Sequence, residues 1–341
     1  MSHVLLRPVI AVSFLAALTG CWFSERVEEF GGPTMGSTYT VKYVREASLP
    51  SLADLKRETD AILAQVDLHL STYRADSVIE QFNQAPAGSC QMMPVGLLDV
   101  LDAGYALHEE SNGRLDLTLE PVLNLWGFGP QARVEKVPTP DALAEAMARV
   151  GMQHLRRQGQ QLCKDIDVQI DFNSIAAGYA VDQIVQRFIE LGVTRYMVEV
   201  TGELKAAGKK PDGQPWRIGL EAPQDGQRVA QRVLAVDGYG ISTSGDYRNY
   251  FEEGGQRYSH TLDPSTGKPI NHHLAAVTVA DKSTLRADGL STVLMVMGTE
   301  QGLAFAERKG IAAFFVTREG DGFVTQTTQA FEQLFPAGEE Q

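Results

Sequence analysis

Between Met35 and Val44, Thr38, Thr40 and Lys42 alternate with Tyr39, Val41 and Tyr43. A period of two puts the two sets on opposite faces of a strand. The period changes after Ser51, where Leu52, Leu55, Ile62, Val66 and Leu70 recur at helical spacing. Ser51 supplies an N-cap hydroxyl, and Asp54 stands three residues on. A second helix should run from Val95 to about Glu110 and stop at Asn112-Gly113. Thr139-Pro140-Asp141 opens a short helix ending near Gly151. Ile166 to Asp171 reads as a strand, followed by a tight turn and a helix from about Ala176 to Leu191. Tyr196 to Val200 reads as a buried strand. Residues 201–275 are rich in strands and turns, with glycine at many corners. Ala276 to Ala280 reads as a strand. Arg286 to Gly298 is a strongly apolar helix and Glu300 to Lys309 another. Ile311–Thr317 and Phe323–Thr327 form a hairpin through Glu319-Gly320-Asp321-Gly322. Strands and helices mix without regular βαβ alternation, so the expected class is α+β.

The N-terminus follows a different logic. Arg7 is basic, Val9 to Leu18 is apolar, and no acidic residue precedes Glu25. The apolar run is too short to span a bilayer and suits the core of a signal peptide. It ends at Leu18-Thr19-Gly20-Cys21. Small residues before a cysteine fit a signal peptidase, and the pattern resembles a bacterial lipobox. The expectation is a signal peptide over 1–20, lipidation of Cys21, a tether over 21–32, one domain over 33–335, and a disordered tail over 336–341.

Composition narrows the classes of partner. The chain has 341 residues and a net charge of −13. That length suits one large domain with a sizeable core. An acidic exported chain is a poor ligand for nucleic acid, and it repels an anionic substrate unless a cation or local donors intervene. Cys90 and Cys163 remain besides Cys21. An oxidising compartment permits them to pair, and two buried thiols fit the sequence equally well. With no CxxC and no Cys/His cluster, a structural zinc site is not expected.

Four segments could carry chemistry. In Arg286-Ala287-Asp288-Gly289-Leu290-Ser291-Thr292, the four-residue spacing puts Asp288 and Thr292 on one helix face. A carboxylate and a hydroxyl are hard oxygen donors that suit Mg²⁺, though a capping or salt-bridging Asp288 fits the spacing as well. In Asp171 to Asp182 a strand end, a small-residue turn and a helix start expose backbone groups that favour phosphate. The third pairs Ile241-Ser242-Thr243-Ser244 with Tyr258-Ser259-His260-Thr261-Leu262-Asp263, where His260 can move a proton at neutral pH. The fourth runs from Gly113-Arg114-Leu115-Asp116 to Trp126-Gly127-Phe128-Gly129, which can form an aromatic wall or simply core.

Together with Pro33-Thr34-Met35-Gly36-Ser37-Thr38, these segments occur in the order seen in the ApbE family of FAD:protein FMN transferases. The chain resembles that family from Thr34 to about Phe335. The resemblance implies a single T-fold-like domain with the FAD site between its sub-regions. Family members cleave FAD, transfer FMN to a threonine or serine hydroxyl of a target protein and release AMP. Their targets include subunits of the Nqr and Rnf redox pumps. By position, Asp288 and Thr292 match Mg²⁺ ligands, and Ser174 matches a third, through its carbonyl. Met35, Tyr73, Arg114, Leu115, Asp116, Asp171, Ala177 and Leu262 match FAD-contacting positions, and His260 matches the histidine that assists the incoming hydroxyl. Asp288 is counted with His260 in catalysis. Ser242 and Ser244 then shape the pocket rather than attack. The sequence departs from the family pattern at Ala177, often charged; at Asn173-Ser174, frequently Gly-Gly; and at Thr201-Gly202, commonly Gly-Gly.

The implied location is the periplasmic side of the inner membrane, by lipid anchor, close to the expected targets. Trp22 is not the aspartate associated with inner-membrane retention, so the sorting residue does not itself decide this. Two rivals remain: a periplasmic FAD pyrophosphatase with water as acceptor, and a non-enzymatic FAD-binding lipoprotein. A serine hydrolase lacks its Gly-x-Ser-x-Gly elbow. A zinc site on His272-His273 with His260 lacks a helix motif.

Overall fold

The computed structural model describes residues 25–130, 136–221, 230–247 and 249–336. The expected signal peptide, Cys21 and residues 337–341 lie outside them.

The first hairpin follows from two residues. Met35 (φ 47°) and Gly36 (φ 72°) are both left-handed, and a two-residue turn of that kind matches the twist of antiparallel strands. It joins β1 (Arg26–Thr34) to β2 (Ser37–Arg45), paired without interruption from Thr34↔Ser37 to Arg26↔Arg45. The expected tether therefore needs correcting. Most of 21–32 is β1, because its backbone finds a full ladder on β2.

Six more strands extend the sheet: β3 (Tyr196–Val200), β4 (Glu203–Ala207), β5 (Tyr239–Gly245), β6 (Leu274–Asp281), β7 (Ala312–Glu319) and β8 (Gly322–Thr327). All neighbours are antiparallel, and order in the sheet equals order in the chain. Between β2 and β3 the chain inserts α1 (Leu52–Leu70), α2 (Val78–Gln84), α3 (Val95–Glu110), α4 (Glu120–Trp126), α5 (Pro140–Met147) and α6 (Ala176–Glu190). The helix α7 (Thr284–Lys309) links β6 to β7, and α8 (Gln329–Leu334) follows β8. The α+β class stands.

Burial explains the hydropathy pattern. Val277, Val279, Ala313 and Phe315 face the core shared with α1, α6 and α7. Ala276, Ala280, Ala312, Phe314 and Val316 face a second core, with Trp216, Leu234, Phe331 and Phe335. The central strands β6 and β7 are thus apolar over most of their buried length, because both faces are covered. Toward the edge, β2 alternates. Tyr39, Val41 and Tyr43 are buried, whereas Thr40 and Lys42 are half-buried. The second face is covered by α8 and by a hairpin of Trp216–Glu221 with Ala230–Val236.

The two helices expected over 286–309 are both present within α7, joined at Gly298, whose φ of 74° and ψ of 179° leave the helix. The short helix after Thr139 ends at Met147, before Gly151. The strand expected over Ile166–Asp171 does not form. That segment joins no ladder: Asn83 Oδ1 accepts from the Ile170 N–H at 2.8 Å, Asn83 Nδ2 donates to the Ile170 C=O at 2.9 Å, and the Val168 N–H bonds the Ile166 C=O within the segment.

A small three-stranded sheet of Cys90–Met92, Gln161–Lys164 and Leu155–Gln158 places Cys90 opposite Cys163. Tertiary pairing thereby resolves a question the sequence left open, because the two sulfurs form a disulfide. It closes a loop of sequence separation 73 around α3, α4 and α5. Removing it through Cys90→Ser with Cys163→Ser should lower unfolding stability by about 2–5 kcal/mol, measured by urea titration.

Candidate active site

Residues from α6 and α7 meet at Gly178. Asp288 is 6% exposed. A Cβ on Gly178 would lie 2.5 Å from the Thr284 carbonyl oxygen and 2.8 Å from Asp288 Cβ. Only glycine allows this approach. The Gly178 N–H then donates to Asp288 Oδ2 at 2.9 Å. Gly178 lies in the first turn of α6, where backbone N–H groups have no acceptor within the helix. The first helical bond runs from the Tyr179 N–H to the Ile175 C=O, at 3.1 Å. Asp288 thus caps the start of α6, and Ser174 stands in the turn just before it.

Three serines hold the other side. Ser242 Oγ lies 3.4 Å from Asp288 Oδ1 and 3.2 Å from Ser291 Oγ. Ser291 Oγ is 2.8 Å from Ser244 Oγ and donates to the Asp288 C=O at 2.8 Å. Burial, and next the charge of Glu203, push the Asp288 carboxyl well above the ordinary range. Its bonds to Gly178 and Ser242 pull the other way and do not prevail. A buried carboxylate this short of positive charge suits a cation. Thr292 is half-buried one helical turn away on the same face. One carboxylate, a hydroxyl and a carbonyl are hard oxygen donors that fit Mg²⁺, which keeps open positions for phosphate oxygens. Among the described residues no three His, Cys, Asp or Glu side chains gather.

Asp171 ends the Ile166–Asp171 segment on the same side. It is 7% exposed, and its carboxyl accepts from the Asn173 N–H at 2.6 Å and Asn173 Nδ2 at 3.0 Å. Burial raises its pKa to about 6, against those two bonds. Tyr73, 66% exposed, lies within electrostatic reach of Asp171. Ala177 is buried in the first turn of α6, so it presents backbone rather than a charged chain. Met35 packs partly on the main core at the β1–β2 turn. The Thr201-Gly202 turn reaches the same end of the sheet, and the Thr201 N–H donates to the Thr38 C=O at 3.0 Å. Thr201 has φ 55° and Gly202 φ 120°, which is why glycine suits both positions.

A second group forms where residues 114–128 meet 249–267. Arg114 reaches both Asp263 oxygens at 3.3 and 3.4 Å. Leu115 and Asp116 turn inward, and Asp116 Oδ1 accepts from the Thr118 N–H at 2.8 Å. Leu262 is buried beside Trp126 and Phe251. Trp126 is only 4% exposed and donates Nε1–H to the Gly267 C=O at 2.8 Å. It is a core residue, not a wall for a flat ring, because its ring packs on Phe251 and Tyr258. Half-buried Phe128 sits edge-on to His260, with ring centres 6.4 Å apart. His260 Nδ1 lies 2.9 Å from the Asn249 C=O. A carbonyl only accepts, so Nδ1 carries the hydrogen and Nε2 keeps its lone pair. Desolvation, partly offset by this bond, holds the imidazole below its usual pKa. The two groups are joined where the Asp171 N–H donates to the Leu117 C=O at 2.8 Å.

The structure therefore gathers Asp288, Thr292, Ser174, Ala177 and Asp171 on one side and Arg114, Leu115, Asp116, His260 and Leu262 on the other. Sequence reading missed the roles of Ser291, Glu203 and Asp263, whereas close packing at Gly178 was one reading of its turn. Ser291 and Asp263 stood inside segments already singled out. Glu203 gave no signal, since its partner is distant in the chain.

The model of the ApbE family matches residues 35–315. The FAD:protein FMN transferase of Vibrio cholerae is 41% identical, with 95% of this chain and 97% of that protein covered. The FAD:protein FMN transferase of Haemophilus influenzae is 40% identical over 97% and 98%. Among solved structures, the apo flavinyl transferase ApbE of Pseudomonas stutzeri superposes with a TM-score of 0.88 at 62% identity, covering 93% of this chain and 99% of that one.

The α6–α7 crossing and the His260 environment each allow a direct check. Gly178→Ala should destabilise the fold by about 1–3 kcal/mol, read as a lower urea midpoint. In an NMR titration His260 should have its midpoint below the ordinary histidine value of about 6.5. The unfolded chain then binds the proton first. The stability that neutral His260 contributes is present above about pH 6.5 and lost as pH falls through the lower folded value.

Proposed function

Since this chain belongs to the ApbE family, we propose that it uses the oxygen donors around Gly178 to hold Mg²⁺ while it moves FMN from FAD to a protein hydroxyl. It is an FAD:protein FMN transferase. The observation that carries the metal reading is the buried Asp288 carboxyl, held by the Gly178 N–H at the start of α6 and raised in pKa by burial and by the charge of Glu203, with Ser174 in the turn just before that helix. Asp288, Thr292 and the Ser174 carbonyl would hold the ion. When bound, it offsets the charge of the pyrophosphate and of the departing AMP. That is how a chain of net charge −13 accepts an anionic substrate.

The chain's own residues do the rest. Gly178 and Ser242 fix the Asp288 oxygens before substrate arrives. Met35, Tyr73, Asp171, Ala177 and Leu262, with Arg114-Leu115-Asp116, line the FAD site. The Arg114–Asp263 pair ties its two walls together. His260 Nε2 takes the proton of the threonine or serine hydroxyl as that oxygen bonds phosphorus and the bond to AMP breaks. Such a base contributes about 10²–10⁴-fold. It is neutral near pH 7 because its pKa is depressed.

The acceptors are Nqr- or Rnf-type pump subunits, reached from the periplasmic face of the inner membrane. Cys21 carries the lipid. With β1 starting at Arg26, only residues 22–25 form the leash. The Met35 turn lies at the far end of a nine-residue strand, about 30 Å from the leash at the usual rise. The reacting end of the sheet thus points away from the anchored end.

Incubating the protein with FAD, Mg²⁺ and a pump subunit should add the mass of FMN to one threonine or serine, read by mass spectrometry. Asp288→Asn should abolish the gain and also remove the Mg²⁺-dependent thermal shift of the protein alone. Steady AMP release with no labelled acceptor would instead make water the acceptor. FAD binding without AMP would leave a flavin carrier.

A further inference from the structure

Behind Asp171 lies a buried polar network that neither metal binding nor proton transfer uses. Glu120, at the start of α4, is 0% exposed, and Asn83, at the end of α2, is 1% exposed. Asn83 spends its whole carboxamide. Oδ1 accepts from the Ile170 N–H at 2.8 Å, and Nδ2 donates to both the Ile170 C=O and Glu120 Oε2 at 2.9 Å. The side chain thus stands where a neighbouring strand would stand, on the residue immediately before Asp171. Lys164 Nζ secures the same segment, donating to the Asn83 C=O at 2.9 Å and the Val168 C=O at 3.2 Å.

We propose that Asn83 and Glu120 are positioning residues for FAD: Asn83 holds the segment that presents Asp171, and Glu120 locks Asn83 in that role. The proposal rests on reading Asp171 as an FAD-contacting residue.

The charges around Glu120 make the lock depend on a proton. Asp171 and Glu80 face it as like charges, and Tyr73 is within reach of both Glu120 and Asp171. Glu80 is 5% exposed and its Oε2 has no hydrogen-bond partner among the described residues. The Lys164 ammonium, besides its two carbonyls, pairs with Asp167 at 3.8 Å, and it is not among the groups that shift Glu120. A helix N-terminus favours an ionised carboxyl, but burial and then these neighbours prevail and raise Glu120 to about 8. At pH 7 Glu120 is therefore the neutral acid. Above about pH 8 it ionises, adding a buried negative charge beside Asp171 and opposing an anionic ligand. If binding requires that one proton, the dissociation constant rises by up to about tenfold per pH unit above that point. Asp171 titrates lower, near 6, and a phenol such as Tyr73 ordinarily near 10, so the window between belongs to Glu120.

The test measures FAD dissociation constants by flavin fluorescence quenching, from about pH 6.5 to about pH 9, on the full mature protein. Wild type should lose affinity above about pH 8. Glu120→Gln keeps a neutral acceptor for Asn83 and should bind like wild type at pH 7 with no loss at high pH. Asn83→Ala should weaken FAD at every pH and raise KM while kcat at saturation holds. A wild-type slope retained in Glu120→Gln overturns the proposal, and that variant decides alone if Asn83→Ala does not fold. Wild type that fails to bind FAD at pH 7 removes the flavin reading itself, a result distinct from an unchanged slope.

Discussion

The start of one helix can bond a carboxylate of another only if their backbones almost touch. Gly178 is where α6 and α7 do so, with the Thr284 carbonyl 2.5 Å from where a Cβ would be. One first-turn N–H of α6, which has no acceptor in its own helix, donates to a side chain of α7. That bond fixes Asp288, and Thr292 follows one turn further along the same face. The surrounding serines complete the frame, because Ser291 bonds back to the Asp288 carbonyl while touching Ser242 and Ser244.

Much of the site is a contest between desolvation and charge. Asp288, Asp171 and Glu120 are all buried, and burial raises each of them. Isolated carboxylates do not survive in such places unless paired or neutralised. The three are resolved differently. Asp288 suits a cation, Asp171 accepts two bonds from Asn173, and Glu120 keeps its proton. His260 is tuned the opposite way, since desolvation disfavours its charged form and leaves it neutral and able to accept a proton.

The scaffold explains how these residues meet. A meander of eight strands needs no long connections, yet the chain inserts six helices between β2 and β3. The insertion delivers Asp171 and Gly178 to the face where α7 already lies, and it carries Arg114 to Asp263 and Trp126 to Gly267. A disulfide between Cys90 and Cys163 closes the middle of that insertion, with α3, α4 and α5.

Local pattern was enough for much of this protein. Alternation placed β2, helical spacing and Ser51 placed α1, and Asp288 with Thr292 could be put on one face from their spacing. The α+β class followed from the mixture of periods. These features depend on neighbours within a few residues, which a sequence displays directly. The rest required distant partners. Ile166–Asp171 has the composition of a strand, but Asn83, far away in sequence, supplies its hydrogen bonds. Trp126 could be read as a wall or as core, and packing with Phe251 and Tyr258 made it core. Residues 22–32 read as a tether and an entry strand, and only pairing with β2 set where the strand begins, at Arg26. Whether Cys90 meets Cys163, and whether Glu120 is charged, depends on what surrounds each group in space. Burial and pairing arise only when the chain closes, so tertiary structure alone could decide them.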